Sequence, residues 1–395
     1  MQRFASRPCP ICRATRSTPL FRQSFEQLSG ACLLDGYEVV VCRECGAGFA
    51  DGIPAQEAFD RYYRDLSKYD DRDRSFAGPP VIEPRFYDVA EILARFLPFP
   101  GARVFEIGCA SGALLKAIKE RGFQNVSGAD PSPACMQAAR ELYGIPGIVG
   151  TVFTVPRPEM PYDFLVLTGV MEHIRDLERT VERFHELLPL GGRVYLEVPD
   201  ASRFIPLQDA PFQEFSVEHI NFFSRTSLAN LMQTRGFRVL DTGHKTRQQH
   251  EVTCPSIYGV FEECGGSSPL ERDVETEIGL RVYIEGCRAE DRRIRSIIRQ
   301  AVGPGERMIV WGVGAHTLRL LATGGLSPSQ VALFVDSNPN YQRQELCGIP
   351  VGSPAELQNR SEPILISSCS SQNAIRNQVR DGLKLRNPLI LLYHP

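Results

Sequence analysis

Residues 103–112, R-V-F-E-I-G-C-A-S-G, leave the chain little choice of architecture: a β-branched and aromatic run (Val104, Phe105, Ile107) passes directly into a glycine-bearing turn. Residues 113–121 then place Leu114, Leu115 and Ile118 at helical spacing. Strand, tight turn and helix in that order predict an α/β unit. Gly108 and Gly112 lack a Cβ, which lets a ligand approach the backbone while the following helix offers unpaired N–H groups. The Gly-x-x-x-Gly spacing departs from the three-glycine dinucleotide pattern, and Glu106 beside the turn repels a pyrophosphate. A nucleoside-like cofactor without phosphates and with a positive charge suits these residues better. Eighteen residues past Gly112, the run at 126–129 ends at Asp130-Pro131, and an acid at the tip of a second strand can hold two ribose hydroxyls.

At 395 residues the chain exceeds one ordinary core, so two or three domains are expected. A composition of 43% hydrophobic and 23% charged residues is that of a soluble globular protein, and a net charge of −3 gives no footprint for nucleic acid. No apolar run is long enough to span a membrane and no secretory leader is legible, so the chain reads as cytoplasmic. Twelve cysteines in a reducing compartment point to metal rather than disulfides. Cys9-Pro10-Ile11-Cys12 and Cys42-Arg43-Glu44-Cys45 are two Cys-x-x-Cys knuckles, the spacing with which four thiolates hold a structural zinc; Cys32 reads as a small buried side chain.

Between these features the chain divides as 1–55 (zinc module), 56–85 (aromatic lid or linker), 86–253 (cofactor-binding core), 254–303 (helical connector) and 304–395 (a smaller α/β unit). In the second segment Phe59, Tyr62 and Tyr63 share a helical face, and with Tyr69 they either close over the site or pack the zinc module onto the core. A buried strand at 162–167 ends at Thr168, with Glu172 and His173 following, so this strand end should line the cavity. His173 is either a base or an anchor for the neighbouring loop. A fifth strand at 193–198 precedes an unusual segment, 212–224, F-Q-E-F-S-V-E-H-I-N-F-F-S. Its phenylalanines can shield a cavity, and Glu218-His219 supplies a second acid/base pair. In the last segment, Gly312-Val313-Gly314-Ala315 follows a strand, but His316 stands where a dinucleotide turn needs its third glycine.

Residues 105–112 with Gly128-Ala129-Asp130-Pro131 resemble the first two motifs of class I S-adenosylmethionine-dependent methyltransferases. Glu172-His173-Ile174 resembles the sequence after the fourth strand in many of them. The resemblance implies a seven-stranded core in which Glu106, Gly108, Cys109, Ala110, Gly112, Asp130, Pro131 and Thr168 bind S-adenosylmethionine. The whole layout is similar to the three-domain sugar C-methyltransferases of deoxysugar pathways, which carry a Tyr-x-Glu-His motif and methylate a nucleotide-linked keto sugar beside its carbonyl. That resemblance implies a zinc held by Cys9, Cys12, Cys42 and Cys45, His219 as general base with Glu218 as its orienting partner, His173 and Tyr69 as further candidates, and a small-molecule acceptor of the nucleotide-sugar class. Ser216 occupies the motif's tyrosine position and Phe222 replaces a following tyrosine, which puts the keto-sugar acceptor in doubt and leaves O- or N-methylation as the alternative. A binding module built on the zinc ribbon and a nicotinamide-dependent oxidoreductase are the competing classes; the acidic balance opposes the first, and Glu106 with the missing third glycine the second.

Overall fold

A computed structural model describes residues 6–26, 33–65, 82–206, 209–249, 252–303, 305–342 and 344–393. Tyr69 and Cys32 lie outside them. The chain begins with strands Ser17–Ser24 (β1), Gly36–Cys42 (β2) and Gly48–Asp51 (β3), then helices Gln56–Asp65 (α1) and Pro84–Phe96 (α2). The central part alternates Val104–Ile107 (β4), Ala113–Glu120 (α3), Val126–Asp130 (β5), Pro133–Tyr143 (α4), Gly147–Val149 (β6), Phe164–Thr168 (β7), Leu177–Leu187 (α5) and Arg193–Pro199 (β8). A two-residue strand Asn221–Phe222 (β9), helix Arg225–Gln233 (α6) and a long hairpin, Phe237–Gln249 (β10) with Val252–Glu263 (β11), complete it. Helix Glu275–Ala301 (α7) leads to Met308–Trp311 (β12), Ala315–Ala322 (α8), Val331–Val335 (β13), the pair Glu345–Leu346 (β14) and Ile349–Gly352 (β15), Ile364–Ile366 (β16), Gln372–Asn377 (α9) and Leu389–Leu391 (β17).

These strands form three sheets. The central one has the order β10-β11-β8-β7-β4-β5-β6, parallel from β8 to β6 and antiparallel at β11. The short central strands β4 and β7 are buried almost throughout and, apart from Glu106 and Thr168, apolar, because both faces of the sheet are covered. This is the expected α/β fold with a seven-stranded sheet and a smaller Rossmann-like unit after it, whose six strands run β14-β15-β13-β12-β16-β17. One difference concerns strand β11, Val252–Glu263, most of which falls in the segment 254–303 read from sequence as a helical connector. Its residues pair along their length with β10 and from Ser256 to Glu262 with β8, and the helix starts only at Glu275.

The third sheet, β1-β2-β3-β9, draws its last strand from far along the chain: Gly48 lies opposite Phe222 and Phe49 opposite Asn221. α7 then spans two cores, with Leu280, Tyr283, Ile284 and Cys287 in the aromatic cluster beneath this sheet, and Ile294 and Ile298 in the C-terminal core. The helix approaches the Ala201–Arg203 turn so closely that a Cβ at Gly279 would lie 2.5 Å from the Ser202 carbonyl oxygen and 2.6 Å from that of Ala201. Replacing glycine by alanine inside a helix ordinarily gains up to about 1 kcal/mol. Here the backbone clash outweighs that gain. Gly279→Ala should lower stability by about 1–3 kcal/mol, the cost of overpacking, as measured by urea denaturation.

Candidate active site

The turn after β4 takes its shape from two left-handed glycines, Gly108 at φ +76° and Gly112 at φ +82°, with Ala110 also at positive φ. A Cβ on Gly108 would meet Val170 Cγ2 at 2.6 Å, and one on Gly112 would meet Ala139 and Ile145 at 3.3 Å. The glycines are therefore required by backbone conformation and by packing against the protein itself, not by a ligand's approach. Cys109 is buried, with its sulfur 3.6 Å from that of Met136, and belongs to the core. Gly108, Ala110, Pro131 and Thr168 are partly exposed along the rim.

Asp130, at the end of β5, accepts from Ala110 N at 3.0 Å through one oxygen and from Ser132 N at 2.9 Å through the other. The carboxylate thus braces the glycine turn. Glu106, at 2% exposure, accepts a 3.4 Å contact from the Thr168 hydroxyl, and its second oxygen has no hydrogen-bond partner among the described residues. Burial pushes its carboxyl up to about 8, opposed by the Thr168 contact and reinforced by the nearby Asp130 charge. A buried acceptor of this kind fits a ligand that brings a positive charge.

Beyond Thr168 the chain passes Gly169 into a single turn, Met171–His173. His173 Nδ1 lies 2.9 Å from the Tyr63 hydroxyl and 3.1 Å from the Glu218 carbonyl oxygen. The His219 ring stands edge-on to that of His173 with centroids 5.0 Å apart. Segment 216–221 is held from several sides. Tyr37 donates to the Ser216 carbonyl at 2.9 Å, Asn221 donates to Met171 and Ile174 carbonyls at 2.8 and 2.7 Å, and buried Arg7 donates to Asn221 Oδ1 at 3.0 Å. Burial depresses the Arg7 guanidinium to about 9, with the nearby Arg175 acting in the same direction.

Two expectations are corrected by this geometry. Glu218 turns away to accept from the Tyr62 hydroxyl at 3.1 Å, while the carboxylate facing His219 Nδ1, at 3.8 Å, is that of Glu214. Neighbours in an extended loop point apart, so sequence adjacency was a poor guide. Ser216 replaces the motif's tyrosine with a structural contact: its hydroxyl accepts from the backbone N–H groups of Glu218 and His219 at 3.3 and 3.2 Å. The phenylalanines do not line a cavity, since Phe212 stacks on Phe21 at 4.3 Å and Phe215 packs edge-on against Phe222 and Tyr283, all within the aromatic core. Glu214 and Glu172 were missed as site residues. Tyr62 and Tyr63 were detectable only as one face of α1.

At the N-terminus the Cys9–Cys45 and Cys12–Cys42 sulfurs are each 3.5 Å apart, and all four lie within 4.8 Å of one another. Mutual hydrogen bonding drives the Cys42 thiol far down and the Cys9 thiol up to about 12. The donor set and its closeness fit a tetrahedral ion, compatible with a zinc-ribbon-like module. A separate cavity of about 290 Å³ opens between the C-terminal unit and segment 209–213, lined among others by Asp209, Gln213, Gly312, His316, Asp336 and Ser368. No described helix is long and apolar enough to cross a membrane.

Residues 81–242 match the family model described as methyltransferase domain. They form a class I methyltransferase domain, with the β4 turn and Asp130 at the ends of its central strands. The protein is an S-adenosylmethionine-dependent methyltransferase. It is 26% identical over 369 residues to the C-methyltransferase NovU of Streptomyces niveus, across 86% of this chain and 82% of that one. It is also 32% identical over 102 residues to a ubiquinone biosynthesis O-methyltransferase of Pseudomonas aeruginosa, covering 24% of this chain and 44% of the relative. Apart from NovU, it spans about half or less of the length of the next curated relatives. Among solved structures, a Burkholderia thailandensis 1,6-didemethyltoxoflavin N1-methyltransferase with bound S-adenosylhomocysteine overlays at TM-score 0.42 and 17% identity, covering 57% of this chain and 97% of that one.

The raised Glu106 carboxyl has a consequence for the cofactor-free protein. Folded Glu106 keeps a proton that the unfolded chain releases above about pH 4.5, so its contribution is fully present below that pH and is lost as pH rises to about 8. Glu106→Gln should therefore gain stability relative to wild type between about pH 5 and 8 while matching it below. Parallel denaturant titrations across that range check this.

Proposed function

We propose that this methyltransferase acts on carbon beside a carbonyl in a small polar metabolite, most directly a nucleotide-linked keto sugar or a related natural-product intermediate. The observation that carries the reading is the paired imidazoles of His173 and His219 beyond the β7 strand end, in a chain alignable over most of its length with a C-methyltransferase. Glu106, Gly108, Ala110, Asp130, Pro131 and Thr168 would hold the cofactor, Asp130 through the ribose hydroxyls. When bound, S-adenosylmethionine supplies an electrophilic methyl on a sulfonium. His219 takes the proton from the acceptor carbon. The Glu214 carboxylate, 3.8 Å from Nδ1 and beyond hydrogen-bond reach, favours a proton there through its charge and leaves Nε2 as the accepting atom. Tyr62 and Tyr63 bring α1 against Glu218 and His173, which supports the lid role read for that segment. The cavity of about 290 Å³ suits the nucleotide part: burial lowers the His316 imidazole to about 3, so it faces the ligand uncharged. The division into a zinc module, lid, core, connector and C-terminal unit belongs to the same reading. O- or N-methylation of a polysaccharide or natural-product precursor is the alternative.

Labelled S-adenosylmethionine incubated with a panel of nucleotide sugars and their 4-keto derivatives tests the acceptor class. Exchange of the acceptor's α-hydrogen for solvent deuterium, in the presence of S-adenosylhomocysteine, isolates the base. His219→Ala should lose about 10²–10⁴-fold in both exchange and transfer while cofactor affinity is kept. Methyl transfer to a hydroxyl or amine with no exchange would decide for the alternative.

In the same reading, Cys9, Cys12, Cys42 and Cys45 hold one structural zinc with no position left for water. Metal analysis should find one zinc per chain, lost in Cys42→Ser. That variant should also lose transfer activity, because the sheet that carries the cysteine pairs through β3 with the strand following His219.

A further inference from the structure

Two arginines flank the first cysteine knuckle, and neither guanidinium meets a carboxylate among the described residues. Arg7, two residues before Cys9 and only 5% exposed, donates to the carbonyl oxygens of Ile220 and Arg175 and to Asn221 Oδ1. Arg235, half-buried just after α6, donates through Nη2 to the carbonyl oxygens of Ile11, at 2.8 Å, and Pro10, at 3.5 Å, inside the knuckle itself. Its Nη1 goes to the Leu231 carbonyl and the Thr234 hydroxyl. All of these partners are neutral. Of the acids within electrostatic range of Arg7, Asp176 pairs with Arg175 at 2.8 Å and Asp51 accepts from the backbone N–H groups of Arg7 and Gly52. Glu182, the acid within range of Arg235, is exposed to solvent.

The remaining source of negative charge is the cysteine cluster, since the Cys9 sulfur lies within range of both guanidiniums and that of Cys12 within range of Arg235. A buried cation bonded only to neutral oxygens calls for a counter-charge nearby. Four thiolates around a divalent ion supply it, because they leave a net charge of about −2, and each arginine brings one permanent positive charge. Arg7 also links the cluster to the two histidines. It holds Ile220 and Asn221, which directly follow His219, and the Arg175 carbonyl, two residues past His173.

We propose that Arg7 and Arg235 are the counter-charges of the metal-loaded cysteine cluster, and that through Arg7 the metal fixes segment 216–221, which carries His219. Both are positioning residues. The inference rests on the reading of the four cysteines as a zinc site, and it adds to the β3–β9 ladder a second route from metal to histidine that runs through charge.

Zinc affinity is measured on the full-length protein by competition with a chromophoric chelator, and amide exchange by mass spectrometry with zinc present and after chelation. A thermal shift with S-adenosylhomocysteine shows that each variant is folded. Arg235→Met should bind zinc about 10–100-fold more weakly, the range for an outer contact of a metal site, and Arg235→Lys should recover most of the loss. Equal losses in the two variants, or none in Arg235→Met, overturn the counter-charge. Stripping zinc from the wild type should speed exchange across 216–221. In Arg7→Met that segment should exchange fast with or without zinc, whereas β2, which carries Cys42, keeps its metal dependence. A response to stripping in Arg7→Met equal to that of the wild type assigns the effect to the β3–β9 ladder and overturns the role of Arg7. Where Arg7→Met does not fold, Arg7→Lys decides, because it keeps the cation and loses the fork: zinc affinity should stay close to wild type while the metal dependence of 216–221 disappears, and an unchanged response overturns the role. A wild type that holds no zinc overturns the zinc reading and this inference together; zinc held equally well by every variant overturns this inference alone.

Discussion

The pairing of β3 with β9, two residues on each side, is the contact on which the rest of the structure depends. Through it a cysteine-bearing sheet at the start of the chain is completed by the strand that immediately follows His219. Two residues of ladder are weak alone, and the join is reinforced by buried polar groups that must stay paired. Arg7 reaches the Ile220 carbonyl and Asn221, while Asn221 in turn ties down the carbonyls of Met171 and Ile174. The two imidazole-bearing loops are thereby fixed relative to each other by a residue that takes no part in chemistry.

A second recurring device is the carboxylate brace. Asp130 and Asp336 stand at the ends of the second strands of the two α/β units, and each accepts from a backbone N–H of the preceding glycine turn and from one just beyond itself. In both units the acid shapes the turn before any ligand arrives. The two turns differ in the side chain set beside them: the core presents a buried acid, Glu106, suited to a cation, whereas the C-terminal unit presents a neutral imidazole, His316.

Much of this was legible in the sequence because it is local. The glycine turn, the acid ending β5, the order of central strands and the paired cysteine knuckles are all set by spacing within a few tens of residues. What was illegible is long-range. β11 was missed because its charged and small residues carry no clear alternation until paired with β8 and β10. Glu218 was given to His219 by adjacency, whereas the fold hands its side chain to Tyr62 of α1, 156 residues earlier. The phenylalanines of 212–223 looked like a cavity lining, and their role became clear only when β1 and α7 supplied the stacking partners.

The placement of β9 also bears on how the protein comes off the ribosome. The first sheet and its cysteines emerge early, but the strand that completes the sheet lies some 170 residues downstream of β3. Until then β3 has an unpaired edge, the kind of surface that recruits another chain. Closing so long a loop is slow compared with forming the local α/β units. The N-terminal module is therefore begun before the central strands and finished only after them, and the segment bearing His219 takes its final place in the same step.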